Sequence, residues 1–180
     1  MVRSPQSQSP SPTLPPETRI GAVLSTYHRE LCDAMLASAR AQLASAGLAE
    51  DDLVVVEVPG AFEIPLIARE LGMREDLAAV MCFGLVLKGE TSHDYHIASA
   101  VSHTLAQVAL ECDKPILFGV LTCDTLEQAR ARALPSGQDK GREVARAAVG
   151  ALAAKAAALE VGRERRKAGF FSGLGLGDAP

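Results

Sequence analysis

The chain has 180 residues, of which 48% are hydrophobic, and its formal net charge at pH 7 is -4. This length and composition predict one domain with an ordinary core. The negative charge argues against nucleic acid or an anionic membrane as the main partner, because both favour a basic protein surface. The expected partners are small molecules and other proteins.

The first 18 residues, MVRSPQSQSPSPTLPPET, are rich in proline and serine and poor in large apolar side chains. Such a composition cannot offset the entropy cost of ordering, so we predict a disordered tail at residues 1–18. The tail lacks the apolar core of a signal peptide, and its single arginine, Arg3, makes a transit peptide a weak alternative. No run in the chain reaches the roughly 18–20 consecutive apolar residues of a membrane span.

From residue 19 onward, short aliphatic runs alternate with longer helical patterns. Strands are predicted at RIGAVLS, DLVVVEV, AAVMCFGLVL and PILFGVL. Helices are predicted from Glu30 to Ala46, over AFEIPLIAREL after Pro59 and Gly60, after the third strand, over TLEQARARA, and over GREVARAAVGALAAKAAALE. The cysteines are Cys32, Cys82, Cys112 and Cys123, with no CxxC pair. They predict reduced thiols, no metal site and a cytoplasmic protein.

Continuous apolar strands that alternate with helices predict a parallel sheet covered on both faces. The predicted fold of residues 19–160 is therefore α/β: a doubly wound, flavodoxin-like three-layer α/β/α sandwich with a four-stranded parallel sheet. After it, residues 161–180 form a basic and then Gly- and Phe-containing tail that we predict to be flexible. The alternative for this tail is that Phe170 and Phe171 dock on a neighbouring subunit.

In doubly wound sheets, ligands bind beyond the carboxyl ends of the strands, which directs attention to the strand-to-helix loops. In the loop KGETSHD, Gly89 lets the backbone approach a ligand, and Thr91 or Ser92 is a natural N-cap. Thr91 and Asp94 have the spacing of an acidic capping box. Because free amides at a helix start favour anions, we expect a phosphate there.

The histidines of this region receive different predictions. His93 falls in the first helical turn, where the helix dipole favours a neutral imidazole that can take and return a proton near pH 7. A surface histidine is the alternative. His96 and His103 lie further along the helix, and we expect no strand-end loop to place them at a pocket.

The other loops suggest substrate contacts. Glu63 in VPGAFEIP is either ordinary charge compensation at a helix start or a carboxylate that binds a polyol. The amides of Gly60 and Ala61 suit the carbonyls of a heterocycle, on which Tyr27 could stack. Arg132 and Lys140 flank the turn PSGQ and together could hold a phosphate and a hydroxylated chain.

Taken together, these loops resemble lumazine synthase, the penultimate enzyme of riboflavin biosynthesis. The resemblance covers roughly residues 18–160 and rests on VPGAFEIP, KGETSH, ILFGVLT, EQARARA and DKG in that order. It implies condensation of 5-amino-6-(D-ribitylamino)uracil with 3,4-dihydroxy-2-butanone 4-phosphate to 6,7-dimethyl-8-ribityllumazine, with release of phosphate and water. It also implies that the reaction uses no metal or organic cofactor.

The resemblance also implies a role for each matched residue. His93 is the general acid/base, Thr91 and Ser92 form the phosphate-binding helix start, and Arg132 binds phosphate. The pyrimidine ring stacks on Tyr27. Other substrate contacts come from Ala61, Phe62, Glu63, Leu87, Lys88 and Glu90, and from Phe118 and Lys140 of the adjacent subunit. The implied assembly is a homo-pentamer with active sites between subunits, and the length of the LPSGQ turn is compatible with a 60-subunit icosahedral shell.

Two other interpretations remain open. A non-catalytic lumazine- or flavin-binding or shell-forming relative is favoured by Asp94 and Tyr95, whose order is the reverse of the family's usual aromatic and then acid. An archaeal-type riboflavin synthase would instead consume lumazine. A generic nucleotide-binding domain is disfavoured, because no glycine-rich phosphate motif follows the first strand.

Overall fold

The computed structural model describes the backbone of residues 13–167 and the side chains of residues 13–161. Its elements in chain order are β1 (Ile20–Ser25), α1 (Arg29–Ser45), β2 (Leu53–Val58), α2 (Ile64–Met73), β3 (Ala79–Leu87), α3 (His93–Glu111), β4 (Ile116–Cys123), α4 (Leu126–Ala133) and α5 (Lys140–Lys167). Short 3₁₀ turns lie at Glu50–Asp52 and Ala61–Glu63. Within the described chain, no helix combines the length and apolar composition needed to cross a membrane.

The four strands form one parallel sheet in the order β2-β1-β3-β4. Helices α1, α4 and α5 pack on one face, where Met81 and Phe83 of β3 point into the core. Helices α2 and α3 cover the other face, into which Val80 and Cys82 point. Because residues on both faces of β3 are buried, its sequence is a continuous apolar run. The predicted three-layer α/β/α fold is confirmed.

Ordered contacts and helix continue on both sides of residues 19–160. Leu14 is buried in the core, and its backbone N–H donates a hydrogen bond to the Ala46 carbonyl over 2.9 Å. Contacts with the domain therefore begin before residue 19, while residues 1–12 lie outside the described part of the chain. Helix α5 continues to Lys167, past the predicted end at Glu160. The predictions for Phe170 and Phe171 also fall outside the described residues.

Candidate active site

The carboxyl ends of β2, β1 and β3 lie side by side, and the loops that follow them border a cleft of about 1120 Å³. From β1 the chain passes to β2 on one side of β1, and it then returns to form β3 on the other side. The strand order therefore reverses between β1 and β3. Such a reversal is where doubly wound sheets bind ligands. The cleft therefore lies where the fold itself predicts a site.

The loop after β1 contributes two neighbouring rings to the cleft. Thr26 donates its backbone N–H to the Val58 carbonyl over 2.8 Å, which ties this loop to the end of β2. His28 adopts the left-handed conformation, with φ of 59°, and precedes α1. The rings of Tyr27 and His28 meet edge to face, with centroids 4.7 Å apart. Tyr27 is 67% exposed, so it presents its ring for stacking on a planar ligand.

The turn after β2 places an aromatic ring and a carboxylate at the same cleft. Ala61 is buried against the core, whereas Phe62 and Glu63 are exposed. A Cβ atom at Gly60 would lie 3.0 Å from Glu63 Oε2, so the carboxylate folds back over the glycine. All four of these residues line the cleft. The turn therefore brings an apolar surface and a hydrogen-bond acceptor to one side of the cavity.

The start of α3 is open, and the predicted capping box is wrong. Ser92 is the N-cap, with φ of -76° and ψ of 18°, and its side chain makes no capping hydrogen bond. This backbone lies outside the extended region from which a serine hydroxyl reaches the amides of the first turn. Among the described residues, the N–H groups of His93, Asp94 and Tyr95 have no acceptor. Three free amides at a helix start suit an anion.

One face of α3 forms a wall of the cleft. His93 and Asp94 line it at the first turn, followed by His96, Ile97 and Ala100. Residues three, four and seven positions after His93 share its side of a helix. The prediction that His96 lies away from a pocket is therefore wrong, because the helix wall as well as the loops borders the cleft. His103 lies outside it, with Nδ1 2.7 Å from the Ser99 carbonyl.

The predicted contact residues fall into two groups. Those that line the cleft are Tyr27, Ala61, Phe62, Glu63, Leu87, Thr91 and His93. Those that do not line the cleft of their own chain are Lys88, Glu90, Ser92, Phe118, Arg132 and Lys140. Gly60 and Gly89, expected to approach a ligand through the backbone, also line the cleft, and the lining residues for which no contact was predicted are His28, Leu85, Val86, Asp94, His96, Ile97 and Ala100. Helical periodicity from His93 would have found the last three.

Within the described part of the chain, no lysine or arginine lines the cleft, although it contains the carboxylates Glu63 and Asp94. Lys88 Nζ lies 3.7 Å from Asp124 Oδ1. The same residues contain no cluster of three or more His, Cys, Asp or Glu side chains arranged to hold a metal ion. An anionic ligand would therefore depend on the open helix start and on cations from outside the cleft.

Arg132, Lys140 and Phe118 lie elsewhere. Arg132 lies in the last turn of α4, the helix that follows β4. Burial raises the pKa of the Cys123 thiol at the end of β4, and the Arg132 guanidinium partly opposes this rise. Cys123 is paired with Leu87 of β3, whose end borders the cleft. Lys140 begins α5 on the opposite layer, with Nζ 2.7 Å from Glu143 Oε1. Phe118 is 41% exposed on the edge strand β4.

Comparison with known proteins gives consistent matches over most of the chain. Residues 17–156 match the family described as 6,7-dimethyl-8-ribityllumazine synthase. The protein of that name from Aquifex aeolicus is 44% identical over 131 residues, which cover 73% of this chain and 85% of the relative. The one from Frankia casuarinae is 46% identical over 145 residues, which cover 78% of this chain and 89% of the relative.

Proposed function

Because the chain belongs to the 6,7-dimethyl-8-ribityllumazine synthase family, we propose that its cleft is the active site of that transferase of riboflavin biosynthesis. The reaction joins 5-amino-6-(D-ribitylamino)uracil to 3,4-dihydroxy-2-butanone 4-phosphate and yields the lumazine, phosphate and water. The observation that carries this assignment is His93, an imidazole at an open helix start that faces a cleft with exposed aromatic rings.

Each part of the cleft suits one part of the substrates. The pyrimidine ring stacks on Tyr27, whose exposed ring lines the same cleft as Phe62. The ribityl hydroxyls donate hydrogen bonds to the Glu63 carboxylate. The phosphate lies at the amides that begin α3, next to the His93 imidazole. This arrangement places the ketone of one substrate beside the amine of the other.

The chemistry follows from that placement. The amine attacks the ketone and water leaves to give a Schiff base, phosphate is then eliminated, and the ring closes with loss of a second water. His93 takes and returns the protons that these steps move. Holding two reactants together contributes up to about 7–11 kcal/mol, whereas a positioned base contributes roughly 10²–10⁴-fold. Proximity is therefore the larger effect, and the proposed steps call for no metal or organic cofactor.

The missing positive charge supports a site shared between subunits. Protein sites usually bind a phosphate with cationic side chains. The described residues that line the cleft include no lysine or arginine. In the proposed site, Arg132 approaches from the end of β4, while Lys140 and Phe118 come from an adjacent copy. The proposed assembly is a homo-pentamer. Light scattering would test whether pentamers assemble further into a shell of roughly 60 subunits.

Two variants on one helix test the function. Wild-type protein should accelerate lumazine fluorescence over a protein-free mixture of the two substrates. Arg132→Ala should raise KM for the butanone phosphate about tenfold, because it removes a charged phosphate partner. The matched control is Arg130→Ala, which removes an arginine of the same helix that lies 3.9 Å from Glu30. An unchanged KM for Arg132→Ala would remove that residue from the site.

Mixed assemblies test the shared site. In a ring built from equal amounts of His93→Ala and Lys140→Met chains, roughly a quarter of the interfaces combine an intact His93 with an intact Lys140. Activity should then exceed the mean of the two pure variants and approach a quarter of the wild-type value. If each site takes both groups from one chain, the mixture gives only that mean.

A lumazine-binding protein without turnover is the second candidate. The position of Asp94 favours it, because a carboxylate in the cleft next to the helix start opposes an anionic substrate. Tight lumazine binding without acceleration of the condensation would establish it, and riboflavin formation from lumazine alone would indicate a riboflavin synthase. For either function we propose the cytoplasm, since the cysteines are free and three of them are buried.

A further inference from the structure

A buried carboxylate precedes α5 and connects it to α1. Asp139 is 7% exposed and adopts the left-handed conformation, with φ of 53°. Its Oδ1 accepts hydrogen bonds from the Ser38 hydroxyl over 2.5 Å and from the Arg142 backbone N–H over 3.1 Å. Among the described residues no hydrogen bond reaches Oδ2, although Arg142 Nε lies 2.9 Å away. Asp139 thus caps α5 while Ser38, in the middle of α1, holds it.

The residue two positions later fixes the same helix start by close packing. A Cβ atom on Gly141 would lie 2.0 Å from the Met35 carbonyl oxygen of α1. Helix α5 can therefore approach α1 this closely only because residue 141 has no side chain. Met35 and Ser38 lie about one turn apart on α1, so both contacts anchor the same end of α5.

Lys140 lies between these two anchored residues. Its side chain is only 17% exposed, and its Nζ is 2.7 Å from Glu143 Oε1. A lysine is ordinarily a flexible point charge with considerable rotamer entropy. Here the backbone on both sides is held and the ammonium is paired, which sets the direction in which the side chain can extend. Any shift of Asp139 would move Lys140 with it.

From these contacts we infer that Asp139, held by Ser38, is a positioning residue that orients Lys140 towards the substrate in the cleft of the neighbouring subunit. The inference rests on the proposed function, in which Lys140 belongs to the substrate site. A carboxylate suits this role because hydrogen bonds to a charged acceptor are shorter and stronger than neutral ones. Aspartate also tolerates the left-handed backbone better than most residues.

The test is a double-mutant cycle between Ser38→Ala and Lys140→Met, with KM measured for both substrates. Lys140→Met should raise KM for one of the two substrates. For that same substrate, Ser38→Ala should raise KM at least about threefold, while kcat stays within about twofold of the wild-type value. In the Lys140→Met background, Ser38→Ala should have no further effect. Asp139→Asn keeps an acceptor and the backbone conformation, so it should fold and give a smaller rise in KM for the same substrate.

Gln42→Ala is the matched control. Gln42 also joins α1 to α5, accepting a hydrogen bond from Arg146 Nε over 3.2 Å, but further along α5 from Lys140. It should leave both KM values unchanged. A change in melting temperature alone for Ser38→Ala and Asp139→Asn, with KM unchanged, would show a structural role only and overturn the inference, as would additive effects of Ser38→Ala and Lys140→Met.

The outcomes separate this inference from the proposed function. If wild-type protein forms no lumazine, the proposed function fails and the inference fails with it. If wild-type protein is active and Lys140→Met leaves both KM values unchanged, the function stands and the positioning role is overturned. If Lys140→Met raises KM and Ser38→Ala does so only in the presence of Lys140, both stand.

Discussion

In the proposed reaction, the His93 imidazole moves protons, and it is one contribution to the rate among several. Its helix start has free amides, and the cleft beside it has exposed rings that can hold a planar substrate. We expect His93→Ala to lower kcat by roughly 10²–10⁴-fold and to leave the remaining acceleration, which comes from proximity. Lumazine fluorescence measures the kcat of the variant, and light scattering checks that the variant assembles correctly. Loss of all detectable activity in a correctly assembled variant would contradict this.

The two histidines further along α3 should differ in effect. His96 lines the cleft, whereas His103 does not and instead has Nδ1 close to the Ser99 carbonyl. We expect His96→Ala to weaken lumazine binding about fivefold, which corresponds to loss of one ordinary polar contact of about 1 kcal/mol. His103→Ala should leave the dissociation constant unchanged in a fluorescence titration. An unchanged dissociation constant for His96→Ala would show that His96 contributes no contact.

At the residue level, the candidate residues that reach the cleft include those placed in a strand-to-helix loop, while their roles stay predictions. Tyr27, Glu63 and His93 follow three strands whose carboxyl ends adjoin, and all three line the cleft. His96 was missed because its place depends on which face of α3 turns towards the cavity. The capping box failed because sequence spacing does not determine the backbone angles of Ser92.

At the scale of single elements, the alternation of apolar strands and helices was enough to locate the four strands of the described chain. Their ends were less predictable, since β4 continues to Cys123 although the apolar run ends at Leu121. Pairing with β3 extends the strand, because Cys123 matches Leu87. Likewise, α5 continues to Lys167, past the end of its alanine-rich segment at Glu160. Sequence composition shows where the apolar segment of a strand or helix lies. The residue at which the strand or helix ends depends on strand pairing and on helix propagation.

Replacing either of two glycines of α5 by alanine should change the stability of the protein in opposite directions. Gly141→Ala would place a Cβ 2.0 Å from the Met35 carbonyl, so the helix pair must move apart at a cost of about 1–3 kcal/mol. Gly150→Ala meets nothing within 4 Å and should stabilise the helix by about 0.5–1 kcal/mol. Thermal unfolding of both variants checks this. An unchanged or higher midpoint for Gly141→Ala would show that α5 does not depend on close contact with α1.

The segment before β3 carries a pH-dependent contact. Hydrogen bonds from Arg74, at 2.9 and 2.8 Å, lower the pKa of Asp76 from 3.8 to about 2, and Arg19 contributes as well. Because the folded-state pKa lies below the unfolded one, this contribution to stability is present above about pH 4 and is lost as the pH falls through about 2.

We therefore expect Asp76→Asn to lower the thermal midpoint at pH 7, with the difference from wild type shrinking towards pH 2. Asp51→Asn is the control, since Asp51 is exposed and forms no ion pair among the described residues. A difference for Asp76→Asn that stays constant from pH 7 to pH 2 would mean that the charge of Asp76 contributes nothing.

At the scale of the whole molecule, the residues of the proposed site do not all meet within one copy. The cleft lies on the side of α2 and α3, whereas Lys140 belongs to the layer of α1, α4 and α5. The sequence identified both sets of residues through their resemblance to a family. It could not give their separation within one chain, because that depends on how the layers stack.

The most direct test of the cleft as the active site compares two equally exposed tyrosines. Tyr27 is 67% exposed and lines the cleft, whereas Tyr95 is 66% exposed and does not. Each alanine variant is mixed with both substrates, and KM for the pyrimidine is measured from lumazine fluorescence. Loss of stacking should raise KM for the pyrimidine roughly tenfold in Tyr27→Ala. In Tyr95→Ala this KM should stay unchanged. Wild-type activity with equal KM values in the two variants would place the reaction elsewhere and contradict the account.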